Sequence, residues 1–192
     1  MPIDDPIAIF QEVFERAGGV CAEPDAMVLS TVDADGRPSA RYVLLKGVDS
    51  RGFVFYTNLG SRKALALAAN PYAALTFYWL PLDKQVRVEG GVEQVLAAES
   101  DAYFATRPRE SQIGAWASTQ SATLDSRASL DQCFREIHDR FEGVPVPRPP
   151  FWIGFRVIPE SIEFWTRDAA RLHERVRFDR TADGWSRSLL FP

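Results

Sequence analysis

Three short segments carry the residue types that grip a phosphate: Arg41–Lys46 (RYVLLK), Asn58–Lys63 (NLGSRK) and Arg107–Trp116 (RPRESQIGAW). Each sets cationic side chains beside backbone N–H groups free to meet an anion. Ser61-Arg62-Lys63 falls at a predicted helix start, where unpaired N–H groups and the helix dipole favour a phosphate dianion. The ordinary alternative there is a solvated helix start with two surface cations. Arg107-Pro108-Arg109-Glu110-Ser111 repeats the arrangement. Pro108 suits a first helical turn, and Arg107 with Ser111 would grip a second phosphate. Tyr103, one turn earlier, adds a hydroxyl or simply packs. The alternative is a capped helix with Arg109 and Glu110 in water.

A fourth segment, RLHERVR (Arg171–Arg177), reads as a strand with Arg171, His173, Arg175 and Arg177 on one face and Leu172, Val176 and Phe178 on the other. Like charges crowded on one face cost free energy unless acids or a bound anion offset them. Glu174 faces the wrong way to help, so either a ligand or acidic neighbours from another strand must balance the row. His173 is a hydrogen-bond donor or titrates near neutral pH, whereas His138 reads as a surface residue. Arg41 and Lys46 are five apart, so a regular strand aims them at opposite faces. They serve one ligand only if the strand bends, ends before Lys46, or the two touch different parts of it. Gln85, Gln120 and Ser121 offer neutral hydrogen bonds, and Trp165 a flat surface.

These clusters stand out because the chain is acidic overall. At 192 residues with a net charge of −4, it has no general basic coat and is not built for nonspecific nucleic-acid binding. Apolar content of 46% and charged content of 25% are those of a globular protein long enough for one buried domain, read as residues 1–192. Cys21 and Cys133 have no metal-ligand spacing and read as packing residues in a reducing compartment; no metal site is expected. The opening MPIDDPIAIF is acidic where a signal peptide is basic, and no apolar run reaches membrane-span length. A soluble, cytoplasmic protein is expected.

The elements that must position these residues follow from periodicity. Pro6–Ala17 is a helix with Ile7, Phe10, Val13 and Phe14 at helical spacing, ended by Gly18-Gly19. The period then changes to two, giving strands at Met27–Val32, Ser39–Leu45 and Gly52–Thr57, the first pair joined through Ala34-Asp35-Gly36. Ser61–Ala69 is a short helix stopped at Asn70-Pro71. A second strand pair, Tyr72–Trp79 and Gln85–Val95, turns at Pro81–Lys84. Helices follow at Ala97–Thr106, from Pro108 to about Ser118, and at Ala128–Phe141 with Leu130, Phe134, Ile137 and Phe141 on one face. GVPVPRPP (Gly143–Pro150) is a stiff connector. The C-terminal strands, about 151–192, are Trp152–Val157, Ser161–Trp165, His173–Phe178 and Trp185–Leu190. The expectation is an α+β fold, mainly β: an antiparallel barrel carrying helices on one side. No nucleotide-binding glycine loop, paired-cysteine zinc pattern or nucleophile elbow is present.

The runs AMVLSTVDADGRPSARYVLLKG, GFVFYTNLGSRKA, RPRESQIGAWAS with its following Gln120-Ser121, and IEFW followed by RLHER resemble, in order, the pyridoxine (pyridoxamine) 5′-phosphate oxidases. That resemblance implies an antiparallel split β-barrel with helices packed on its outside, forming an FMN-dependent homodimer with the flavin between subunits. Arg41, Ser61, Arg62 and Lys63 would surround the FMN phosphate, and Tyr56 and Thr57, with Val43, Leu44, Leu45 and Lys46, would line the flavin. Gln85, Gln120, Ser121, Trp165 and Arg175 would complete the cofactor site from the partner subunit. Lys46, Tyr103, Arg107 and Ser111 would hold the phosphorylated substrate, with Arg171 and His173 covering its ring in the catalytic role. The implied reaction converts pyridoxine or pyridoxamine 5′-phosphate to pyridoxal 5′-phosphate, with dioxygen as acceptor and hydrogen peroxide as product. Three departures from the family pattern bear on turnover: an N-terminal arm over the substrate is expected to be missing, Ile153-Gly154 replaces a double glycine, and Glu23 replaces aspartate. Two other readings stand beside this one. VPRPP and LHERVRFDR look like the phenazine-biosynthesis flavoproteins, whose substrates lack phosphate, and a non-catalytic FMN- or pyridoxal-phosphate-binding protein is the third.

Overall fold

The structure is a computed structural model and describes residues 5–192; the opening residues 1–4, part of the segment read above as unlike a signal peptide, lie outside it. Helix α1 (Pro6–Gly18) starts where Asp5 Oδ1 accepts the Ile7 N–H at 2.9 Å, and it buries Ile7, Phe10, Val13 and Ala17. Strands β1 (Ala26–Val32), β2 (Pro38–Leu44), β3 (Gly47–Asp49) and β4 (Gly52–Asn58) follow, then α2 (Arg62–Ala69), β5 (Tyr72–Trp79) and β6 (Lys84–Gln94). Helices α3 (Ala97–Thr106), α4 (Arg109–Ala117) and α5 (Arg127–Arg140) precede β7 (Trp152–Thr166), β8 (Glu174–Thr181) and β9 (Gly184–Leu189).

All nine strands join one curled antiparallel sheet in the order β2-β1-β5-β6-β7-β4-β3, with β8 on β7 and β9 on β8. The expected split barrel with outer helices is therefore the observed architecture. Its curl draws the chain leaving β2 onto β4, where the Lys46 N–H donates to Val54 O at 2.8 Å. Alternate residues of β1, β5 and β6 fill the interior, Met27 and Leu29, Leu75 and Phe77, Val86 and Val88, joined by Val157 and Ile162 of β7. Phe10 of α1 closes on this core, 4.8 Å from the Phe53 ring and 5.0 Å from Phe77; burying such a ring contributes about 2–3 kcal/mol. A second cluster, with Phe104, Ile113, Phe141, Val146 and Trp152, holds α3 and α4 against the start of β7. The α5 stripe is shallower than its spacing implies: Phe141 is buried, while Leu130, Phe134 and Ile137 stay half-buried over α4.

Three expectations need correction. The segments Trp152–Val157 and Ser161–Trp165 are one strand of 15 residues. Pro159 reads as a break because it lacks an N–H, but it sits at a bulge: Gly90 pairs with Pro159 and Glu89 with Ser161, skipping Glu160. Gly90 makes that approach possible, since a Cβ there would lie 1.9 Å from Ile158 O. Strand β3 has three residues, too few to show a period. Finally, Arg171 and His173 lie before β8 rather than in it. Arg171 has φ of 64°, its N–H donates to Asp168 O at 3.1 Å, and Asp168 Oδ1 accepts the Ala170 N–H at 2.8 Å. A turn built by Asp168 overrides the alternation. No helix among the described residues is long and apolar enough to cross a membrane.

Candidate active site

Between the end of β2 and helices α3 and α4 lies a cleft of about 490 Å³. Strand β2 brings Val43 and Leu44 to its wall and ends there, which frees Lys46 to turn toward the same space. The strand's early end thus brings Lys46 beside Val43 and Leu44, while Arg41 does not reach this cleft. Lys46 Nζ pairs with Asp25 at 2.6 Å. Leu45 does not line the cleft; its side chain is buried in the main core. Strand β4 contributes Tyr56 and Thr57, α2 Lys63, α3 Tyr103 with Arg107 just past its end, and α4 Ser111.

Ser61 is fully buried as the cap of α2, its hydroxyl facing Ala64 N at 3.5 Å and Thr57 Oγ1 at 3.3 Å. It sets the helix start rather than touching the open space. Lys63 then points inward, 8% exposed, and donates to Thr57 Oγ1 at 3.0 Å and Gln120 Oε1 at 3.2 Å. Burial first, and the Arg41 charge second, bring its pKa from 10.5 down to about 8. Arg41 donates to Leu29 O at 3.1 Å, to Thr31 Oγ1 at 2.8 Å and to the Ser39 hydroxyl. Burial and then Arg62 hold its pKa below the usual guanidinium value. Arg62 and Ser121 line an adjoining cleft of about 490 Å³, and Gln120 borders both. Among the described residues no carboxylate forms an ion pair with Arg41, Arg62 or Lys63. Arg41 lines neither cleft, but its charge acts on Lys63 and that of Arg62 on Arg41. Three adjacent cations without an ion-paired acid fit a phosphate dianion such as that of FMN.

The opposite wall holds a further cation without an ion-paired acid. The Arg107 guanidinium carbon sits 4.8 Å from the Trp152 ring and 5.5 Å from Phe104, and its Nη1 is buried without a hydrogen-bond partner. Burial pushes this pKa down as well. An unpaired buried donor costs about 1–3 kcal/mol until an acceptor arrives. The floor between the walls is aromatic: Tyr56 stacks 4.2 Å from Tyr103 and 4.9 Å from Trp152, with interplanar angles of 13° and 4°. Gly154 permits this, because a Cβ there would lie 2.7 Å from Tyr56 Cε1. Trp152 is a site residue that sequence reasoning missed. Its only signal was an aromatic side chain opening a strand directly after Pro149-Pro150 and Phe151.

The remaining expected residues group elsewhere. Gln120 and Ser121, expected from a partner subunit, stand within this chain's own site. The loop after α4 carries them onto α2, where Ser121 Oγ accepts the Arg62 N–H at 3.2 Å. Gln85, Trp165, Arg171, His173 and Arg175 do not line either cleft. Gln85 pairs with Trp165 across β6–β7 and Trp165 with Arg175 across β7–β8. The His173 ring lies 4.6 Å from Trp165, and its Nδ1 accepts the Asp168 N–H at 3.1 Å. Arg175 Nε donates to buried Glu163 at 2.8 Å, and Arg177 pairs with Asp179 at 2.7 Å. Acidic neighbours therefore balance the strand part of the basic row. Arg171 has no such partner among the described residues.

Sequence and overall fold place the chain among known proteins. Residues 15–141 match the family described as pyridoxamine 5′-phosphate oxidase, and residues 152–192 match the pyridoxine 5′-phosphate oxidase C-terminal dimerisation region. The chain is 56% identical over 189 residues to the pyridoxine/pyridoxamine 5′-phosphate oxidase of Myxococcus xanthus, covering 98% of this chain and 92% of that one. It is 58% identical over 191 residues to the enzyme of that name from Rubrobacter xylanophilus, covering 98% and 87%. Among solved structures, PhzG from Burkholderia lata 383 in complex with tetrahydrophenazine-1-carboxylic acid superposes with a TM-score of 0.94 at 31% identity, covering 100% and 94%. A pyridoxamine 5′-phosphate oxidase-related, FMN-binding protein of Nostoc punctiforme has the same fold, with a TM-score of 0.77 at 15% identity over 96% of each chain. The chain thus belongs to the pyridoxine/pyridoxamine 5′-phosphate oxidase family and is an FMN-dependent oxidoreductase.

Proposed function

We propose that the protein oxidises pyridoxine 5′-phosphate or pyridoxamine 5′-phosphate to pyridoxal 5′-phosphate, with dioxygen as acceptor and hydrogen peroxide as product. The observation that carries this reading is the pair of separate anion sites on either side of one aromatic-floored cleft. Arg41, Arg62 and Lys63 form one, and Arg107 with its free Nη1 forms the other. Two phosphates, one on the cofactor and one on the substrate, match two such sites.

FMN, when bound, supplies the two-electron redox chemistry. The chain's residues bind and orient. Arg41, Arg62, Lys63 and the α2 N-terminus hold the cofactor phosphate, and Gln120 and Ser121 tie that helix start to the loop above it. Lys46, Tyr103, Arg107 and Ser111 take the substrate phosphate and ring. The gain over solution comes from fixing both reactants in one dry cleft. Gln85, Trp165, Arg171, His173 and Arg175 complete the site from a second copy of the chain: all but Gln85 fall in the segment matching a dimerisation region, and none lines its own chain's cleft. Arg171 and His173 there cover the substrate ring. With Nδ1 accepting from the Asp168 N–H, neutral His173 keeps its proton on Nε2, ready to donate to a substrate oxygen. The whole chain works as one unit in this reading.

The high TM-score to PhzG supports a second reading, in which the same cleft takes an aromatic acid without phosphate. Lys46, Tyr103, Arg107 and Ser111 together argue for the phosphorylated substrate, because a phosphate dianion offers this cluster more charge and more acceptor oxygens than a carboxylate does. Anaerobic mixing of FMN-loaded protein with pyridoxine 5′-phosphate tests the proposal. Bleaching of the flavin absorbance that recovers in air, with pyridoxal 5′-phosphate formed, is the expected result. No bleaching with either phosphorylated vitamer would overturn it.

A further inference from the structure

Resting on that reading, the geometry points to Trp152 as the residue that positions Arg107 for the substrate phosphate, holding the cation by its π face so that the guanidinium donors stay unspent. Arginines in proteins are usually fixed by carboxylates, as Arg175 is by Glu163 at 2.8 Å and Arg148 by Asp101 at 2.6 Å. A carboxylate beside Arg107 would neutralise the charge, occupy its N–H groups and repel the incoming phosphate. An aromatic face does none of these. It attracts the cation through the ring quadrupole, most strongly for indole, and leaves the in-plane N–H groups free. The structure shows both halves of this arrangement: the guanidinium carbon 4.8 Å from the Trp152 ring, and Nη1 buried with no partner.

The platform is itself fixed. Trp152 is 7% exposed and opens β7, where it pairs with Asn58. Its N–H donates to Pro149 O at 3.0 Å, and its carbonyl accepts from Arg148 Nη1 at 2.7 Å. The Tyr56 ring stacks on it at 4.9 Å, and Phe104 meets it edge-on at 5.1 Å. The indole plane therefore has little freedom, and neither does the cation set against it. The same rings form the cleft floor, so Trp152 links the position of the phosphate grip to that of the surface on which the substrate lies.

The test is equilibrium binding of 4-deoxypyridoxine 5′-phosphate to the FMN-loaded protein, with unphosphorylated 4-deoxypyridoxine as control. Neither ligand has the C4′ heteroatom needed for oxidation or imine formation, so binding is read without turnover. Trp152→Leu is expected to weaken the phosphorylated ligand about tenfold while changing the unphosphorylated one less than about twofold. Trp152→Phe, which keeps an aromatic face, should recover most of the loss. In an Arg107→Ala background, Trp152→Leu should remove no further phosphate preference, because the two act as a unit. If the wild-type protein shows no preference for the phosphorylated ligand, the vitamer-phosphate reading fails and this inference with it. If the wild type discriminates but Trp152→Leu discriminates equally, or Trp152→Phe with FMN retained is as weak as Trp152→Leu, the positioning role alone is refuted. Should Trp152→Leu lose FMN, Trp152→Phe decides: phosphate preference close to the wild-type value supports the role, and preference lost with FMN retained refutes it.

Discussion

Lys63 gives the cofactor affinity a calculable pH dependence. Without a ligand, burial and Arg41 set its pKa at about 8, and a bound phosphate dianion would return it toward its ordinary 10.5. Above about pH 8 binding must then take up a proton, so affinity is flat below that point and falls above it. With full restoration, the fall between about pH 7 and about pH 9.5 is about 30-fold, or about 2 kcal/mol. The phosphate stays dianionic across that window, its second ionisation lying near pH 6. The ligand-free protein should show the opposite trend. A lysine whose folded pKa is depressed leaves the unfolded chain holding more protons between about 8 and 10.5, so the apoprotein gains stability as pH rises through that range. Fluorescence titration of FMN at a series of pH values reads the first effect, and urea unfolding of the apoprotein the second. Lys63→Met should bind more weakly at neutral pH and lose both slopes. If the variant keeps the wild-type affinity slope, some other group titrates and the assignment of Lys63 to the phosphate site is wrong.

The division of roles predicts opposite patterns for two arginines: Arg62→Ala should weaken FMN binding more than it lowers turnover of the loaded enzyme, and Arg171→Ala the reverse, measured by FMN titration and steady-state rates. Equal effects from both would refute the division. Gly90→Ala must push a methyl into the Ile158 carbonyl, a clash at 1.9 Å, and should cost at least about 2 kcal/mol in urea unfolding; a loss below about 0.5 kcal/mol would show that the bulge yields easily. Glu163→Gln leaves Arg87 and Arg175 without their shared buried carboxylate and should destabilise by about 1–3 kcal/mol. Unchanged stability in that variant would mean that solvent or the C-terminal carbonyl of Phe191, which accepts from Arg175 Nη1 at 3.0 Å, suffices.

Most of the fold was legible because period-two and period-3.6 patterns are local. The runs at Met27–Val32, Tyr72–Trp79 and Ser61–Ala69 carry their own boundaries in glycine, proline and capping residues. What failed was set by partners distant in sequence. Pro159 reads as a break until Gly90 is placed opposite it, and the alternation at 171–177 yields to the Asp168 turn, where Arg171 adopts a positive φ. The site divided the same way. Cationic residues at element ends announced Lys63 and Arg107 as cleft residues, and the pairing of Lys46 with Asp25 resolves only in three dimensions. Trp152 stayed hidden because an aromatic residue at a strand start is most often core, and nothing local tells it that Arg107 will arrive.

Strand β7 also acts as a ruler. Its 15 residues span roughly 45–50 Å at about 3.3 Å each. Trp152 stands at one end, in the cleft, and Trp165 near the other, beside His173 and Arg175. The spacing of these two groups is therefore counted out in residues rather than left to a loop. Insertion or loss of one residue along the strand would turn every later side chain to the opposite face and move Trp165 off its neighbours. Only the skipped Glu160 shows where an odd residue can be absorbed without changing the parity. Loops elsewhere in the chain are free to lengthen as such proteins diverge, whereas the length of this strand is held by two places at once.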